Sequence, residues 1–229
     1  MAFYKTLFAG VLLTQVVLSA RAQNPPGGFG DSIPISNGFM GRIYLLKEGS
    51  DSLPRFDTMQ PVGMPIYAAT LNIPDRDWSD GFPGLRQRNE WFGMDYKGEF
   101  KVVRDGVYTF RLVSDDGARL LVGNRVLIDE DGTHPSYSRS AGISLSRDSA
   151  YPIEVQYYQG PRYRLALQLF WTRAGDSLEQ VFPGPGIVVR PAATSSFPWW
   201  WVVLGALVLG TLIGLWLRKK NRKRPLTTV

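Results

Sequence analysis

The sequence predicts an all-β fold, an antiparallel sandwich or barrel, followed by one C-terminal transmembrane helix. Three observations carry that expectation. Apolar and polar residues alternate with period two along several short segments between about 100 and 175, as half-buried antiparallel strands do. No convincing amphipathic helix interrupts that region. Residues 198–217 carry no charge and are followed at once by six Lys or Arg.

From the N-terminus, residues 1–22 read as a cleavable secretory signal. Lys5 supplies the positive start, residues 7–18 an apolar stretch broken only by Thr14 and Gln15, and Ala20-Arg21-Ala22 a small-x-small cleavage site. Residues 23–35 are rich in Pro and Gly and are expected to be a flexible lead-in. The β domain is placed at 36–182. Within it Tyr108, Phe110 and Leu112 alternate with polar residues, as do Ile153, Val155 and Tyr157, and Leu165, Leu167, Leu169 and Trp171. Asp105-Gly106 and Gly123-Asn124 have the composition of short hairpin turns. Residues 183–197, PGPGIVVRPAATSSF, form a spacer.

The span at 198–217 has tryptophans at both margins, Trp199-Trp200-Trp201 and Trp216. Residues 199–217 at ~1.5 Å each reach about 28 Å, close to the thickness of a hydrocarbon core. The basic segment at 218–229 suits the cytoplasmic side. The expected layout is single-pass type I, with the β domain extracytoplasmic, in a periplasm or at the cell surface. Gly210 and Gly214 form a GxxxG, a weak dimerisation signal that leaves the oligomeric state open.

Composition narrows the function. The chain has 229 residues, no cysteine and one histidine, which excludes disulfides, thiolate chemistry and multi-His metal sites. Its net charge of +6 is concentrated at the ends: eight of 26 basic residues lie in 1–22 and 218–229, where there is no acid. The remaining 18 face 20 acids, so no nucleic-acid partner is expected. Neither a nucleophile with its base nor an opposed carboxylate pair can be assigned, and no enzymatic activity is expected.

Several motifs in order identify a resemblance. They are Gly106-x-Tyr108-x-Phe110, Ser114-Asp115-Asp116-Gly117-x-Arg119-Leu120, Val126-x-Ile128-Asp129, a Tyr-rich strand at 151–158 and a closing Leu169-x-Trp171. Together they resemble the PA-14 domain family over about 36–182. The resemblance implies a β-sandwich or barrel serving carbohydrate binding or recognition. In the family's fungal adhesins the matching aspartate pair, joined by a cis peptide, holds a calcium ion that helps bind sugar. Asp115 and Asp116 align with that pair.

The residues give their own reason to look there. If 107–113, 118–122 and 125–128 were neighbouring strands, Asp115, Asp116, Asp129, Glu130 and Asp131 would meet on one rim. Hard oxygen donors in that number suit Ca²⁺, with Asp115, Asp116, Asp129 and Asp131 as candidate ligands. The competing reading is a solvated turn whose charge Arg119, Arg125 and Arg139 compensate. His134, Tyr158 and Tyr163 are the candidate ligand-binding residues, the two tyrosines because they flank the turn at Gln159-Gly160-Pro161. Two functions follow as expectations: a membrane-anchored module recognising glycan, or a non-catalytic structural or protein-interaction domain of a membrane or envelope complex without a sugar site.

Overall fold

The computed structural model describes residues 28–79, 81–85, 88–162, 164–193, 207–211 and 213. Its strands form two antiparallel sheets around one core. The larger sheet runs β2 (Val62–Ala68), β1 (Phe39–Leu45), β4 (Phe92–Lys101), β9 (Tyr151–Gln159), β6 (Ala118–Val122) and β7 (Arg125–Glu130), with β12 (Val188–Pro191) also paired to β4. The smaller runs β11 (Gln180–Val181), β10 (Leu165–Arg173), β5 (Gly106–Asp115) and β8 (Tyr137–Leu145), with β3 (Asn72–Arg76) also on β10.

The alternating positions face inward as expected. Tyr108, Phe110 and Leu112 on β5 and Leu165, Leu167 and Leu169 on β10 are buried against Ile153, Val155 and Tyr157 of β9. Aromatic rings fill much of the space between the sheets. Phe92 meets Phe29, Trp78 and Phe82 at centroid distances of 5.5, 5.5 and 4.8 Å, while Phe182 meets Phe100 at 5.2 Å and Phe110 at 5.5 Å. Edge-on contacts of this kind add to the burial of large apolar area.

Two local expectations change. Asp105-Gly106 is not a hairpin turn, because β4 and β5 belong to different sheets. For the same reason β5, β6 and β7 are not three neighbours: β5 pairs with β8 and β10, while β6 pairs with β7 and β9. Both sheets bury one face toward the same core, so alternation looks alike whether the next strand lies beside or opposite. Gly123-Asn124 does close the β6–β7 hairpin, with φ of +62° at both residues. That is the left-handed pair a type I′ turn requires.

The domain also reaches beyond 36–182. Phe29 enters the aromatic cluster, and Asp31 exchanges backbone hydrogen bonds with Tyr67 at 3.0 and 2.7 Å. At the other end β12 pairs with β4, and Ile187 and Val189 are core residues. The signal at 1–22, most of the span at 198–217 and the tail at 218–229 lie outside the described residues. Residues 207–211 and 213 are helical. Among the described residues no helix is long and apolar enough to cross a membrane.

Candidate functional site

The chain passes from the smaller sheet to the larger at Asp115-Asp116-Gly117, and the peptide joining the two aspartates is cis. Neighbouring elements hold this turn tightly. The Tyr157 hydroxyl donates to the Asp115 carbonyl at 2.5 Å. The backbone N–H of His134 donates to Asp116 Oδ1 at 3.1 Å, and those of Gly160 and the Gln159 side chain donate to Oδ2 at 2.8 and 3.3 Å. Gly160 is required by this approach. A Cβ there would lie 2.6 Å from the Tyr158 hydroxyl and 3.2 Å from Asp116 Oδ2.

The two aspartates border an open pocket of about 400 Å³ with Thr133, His134, Pro135, Pro161 and Arg164. Asp115 is 8% exposed and Asp116 4%. Among the described residues neither forms an ion pair; Arg164, on the same pocket, instead pairs with Asp75 at 2.6 Å. Burial, then the charges of Asp116 and Asp75, pushes Asp115 up to about 6. Burial also raises Asp116, against the Gly160 and His134 N–H bonds that favour its charged form. On the other side of His134, burial pushes Glu130 up to about 7 although Ser114 donates to it.

His134 lines the pocket, but its ring is already engaged. Nδ1 lies 3.0 Å from the Pro135 carbonyl and Nε2 3.0 Å from that of Glu130. An imidazole with an acceptor at each nitrogen is fully satisfied only as the cation. Burial opposes that charge, and the two carbonyls with the Glu130 and Asp116 carboxylates outweigh it, raising the pKa. His134 therefore braces the pocket through its main-chain N–H and its two ring contacts.

The remaining candidates are placed differently. Asp129 sits 3.0 Å from the Arg119 guanidinium, which also lies 3.7 Å from Asp131. Asp131 Oδ1 accepts from the backbone N–H of Leu53 at 2.6 Å and of Gly132 at 2.8 Å. These two acids are thus turned to Arg119 and to loop backbone and do not line the Asp115–Asp116 pocket. The two acidic turns still meet at one edge, where Ser114 bonds Glu130 and a Cβ on Gly117 would lie 3.2 Å from Asp131 Cα. Tyr158, expected at an exposed turn, is 0% exposed, its hydroxyl donating to the Ser50 carbonyl and 2.9 Å from Thr133 Oγ1. Tyr163 lies outside the described residues. Among the described residues no group of three or more His, Asp or Glu side chains is spaced to hold a metal ion. Sequence reasoning missed Gly160 and Gln159 as supports of Asp116; Gly-Pro was read only as a turn signal.

The raised groups set a pH dependence. Asp115, Asp116 and Glu130 keep protons in the folded state that the unfolded chain has released, so stability falls as pH rises through that interval. Their contribution is complete below about pH 4 and is lost by about 7. Without added divalent ions, the melting midpoint is expected to be higher at pH 5 than at pH 7.5. An unchanged or higher midpoint at pH 7.5 would contradict the burial of these carboxyls.

Residues 47–181 match the PA14 domain. The chain belongs to the PA14 domain family. A relative, "Anti-sigma-I factor RsgI3" of Acetivibrio thermocellus, is 30% identical to this PA14 protein over 117 residues, which are 49% of this chain and 18% of the relative. A solved "anti-sigma factor domain-containing protein" superposes with a TM-score of 0.55 at 23% identity, covering 70% of this chain and 50% of its own. The "PA14 sugar-binding domain from RTX adhesin" does so at 0.53 and 16% identity, covering 65% and 96%. The chain thus spans half or less of the two anti-sigma proteins but nearly all of the adhesin domain. At these identities the solved structures establish the PA14 fold.

Proposed function

We propose that this PA14 domain is a non-catalytic, extracytoplasmic saccharide-binding module held at the membrane by the segment 198–217. The observation that carries the reading is the Asp115–Asp116 pair: two buried carboxylates facing an open pocket, without an ion-pair partner among the described residues. Buried carboxylates favour a compensating cation. Their hard oxygens suit Ca²⁺, whose six to eight ligands commonly include carbonyls and water. Asp115 and Asp116 would hold the ion, and Asp129 and Asp131 leave the ligand set because Arg119 and backbone donors occupy them. Bound Ca²⁺ would supply a Lewis-acidic centre for sugar hydroxyls. Gly160, Gln159 and His134 fix the orientation of Asp116, and Pro135, Pro161 and Arg164 shape the pocket. The sugar-binding RTX adhesin domain with the same fold supports the reading.

The test is retention of the full chain on a glycan array in calcium and in chelator. Spots retained only with calcium are expected. Absence of glycan signal in both conditions would remove the reading.

The anti-sigma relative favours a second reading, a signalling or protein-interaction domain of an envelope complex. A membrane complex that co-purifies with the chain, without glycan signal, is its expected result. Both readings share one topology. A tag fused after Val229 should be protected from external protease in intact cells while the β domain is digested. Detection of the tag outside would overturn the type I arrangement.

A further inference from the structure

Beside the aspartate pocket lies a hollow of about 460 Å³, lined by Glu130, Asp131, His134, Pro135, Ser136, Tyr137 and Arg139. Glu130, the last residue of β7, is 4% exposed and borders it. Its Oε1 accepts from Ser114 Oγ at 3.2 Å, whereas Oε2 is buried with no hydrogen-bond partner among the described residues. A buried carboxyl oxygen without a donor is costly and calls for one from a ligand. Around Glu130 the nearby cations are committed: His134 to two carbonyls, and Arg139 to the Asp129 carbonyl at 2.7 Å and the Tyr137 hydroxyl at 3.2 Å.

Tyr137 supplies the second feature. It opens β8 and is 45% exposed. Arg139 lies over its ring at 5.8 Å from the centroid, and the His134 ring meets it nearly edge-on at 5.7 Å. An exposed ring held from two sides is a preoriented platform, and ordering it on binding costs little side-chain entropy. An apolar surface beside a few directed polar groups is the usual make-up of a small-molecule site.

We propose that this hollow is a second saccharide subsite, with Tyr137 under a pyranose ring and Glu130 Oε2 accepting from one of its hydroxyls. The proposal rests on the saccharide reading above. His134 and Pro135 border both cavities, so a single loop separates the two positions. The ring at the aspartate pair and the ring at Tyr137 then belong to one ligand, which makes the preferred substrate class a di- or oligosaccharide.

The experiment uses the full chain with calcium at about pH 8, where Glu130 is ionised and Oε2 accepts, in a polyoxyethylene detergent, which has no sugar headgroup. Galactose, glucose and xylose are titrated calorimetrically against lactose, cellobiose and xylobiose. At least one disaccharide should bind about tenfold or more tightly than its component monosaccharide, a gain of about 1.4 kcal/mol. Glu130→Gln, which keeps the side-chain shape, and Tyr137→Ala, at an exposed position, should each erase that gain and leave monosaccharide affinity unchanged. Equal affinity for mono- and disaccharides, or a gain that survives both substitutions, overturns the subsite. If monosaccharide binding is nevertheless present and vanishes in Asp116→Asn, the first reading stands alone. If none of the six sugars binds, both fall.

Discussion

Replacing Phe92 by Ala should destabilise the domain by about 3–5 kcal/mol, the usual cost of truncating a fully buried phenylalanine. Phe92 stands at the start of β4 and touches four rings from three other segments: Phe29, Trp78 with Phe82, and Tyr157. Because those rings also pack on one another, the space cannot simply collapse, and the cavity term adds to the lost transfer energy. The effect should extend to the pocket, since Tyr157 also holds the Asp115 carbonyl. Urea unfolding is the measurement, with a lower midpoint at unchanged slope as the expected outcome. A loss under about 1 kcal/mol would mean the cluster is not the packed centre described.

The second large effect concerns Asp116→Asn. With calcium at a hundredfold excess over Kd, the wild-type domain should gain ~2.7 kcal/mol. For a domain of this size that is a rise of about 5–10 °C in the melting midpoint. In the variant the calcium-dependent rise should vanish. Its metal-free form will not simply benefit from the lost charge. Asp116 accepts on both oxygens, from His134 on one side and from Gly160 and Gln159 on the other. Asparagine offers a single acceptor oxygen, so one of these donors is left unpaired at about 1–3 kcal/mol. The readout is therefore the difference between calcium and chelator for each protein. Equal differences in wild type and variant would refute metal binding at this pair.

The inward faces of β5, β9 and β10 were legible because period-two alternation reports burial directly. The Ser114-Asp115-Asp116-Gly117 motif likewise located the pocket. Sheet membership was not legible: β5 does not lie beside β6, although the acidic ends of β5 and β7 still meet across the two sheets. Tyr157 and Tyr158 show a second limit. Successive residues on a strand point to opposite faces, so one of them was expected outside. Both are buried because the Tyr158 hydroxyl reaches Ser50, in a loop far away in sequence that also donates from Leu53 to Asp131. Such long-range cover leaves no local pattern. Glu130 was hidden for a related reason, since a carboxylate inside a DED run reads as solvated until its neighbours are known.

The placement of the pocket has a mechanical consequence. Asp115 ends a strand of the smaller sheet, Gly160 follows a strand of the larger, and His134 lies on the segment joining β7 to β8, which crosses between them. The pocket is therefore built on the seam of the sandwich, and anything gripped there fastens one layer to the other. Under the proposed saccharide reading, opening the layers at that end would release the ligand. With the domain held at a membrane and bound to a surface glycan as proposed, load would pass through this rivet, and occupancy and resistance to pulling would rise and fall together.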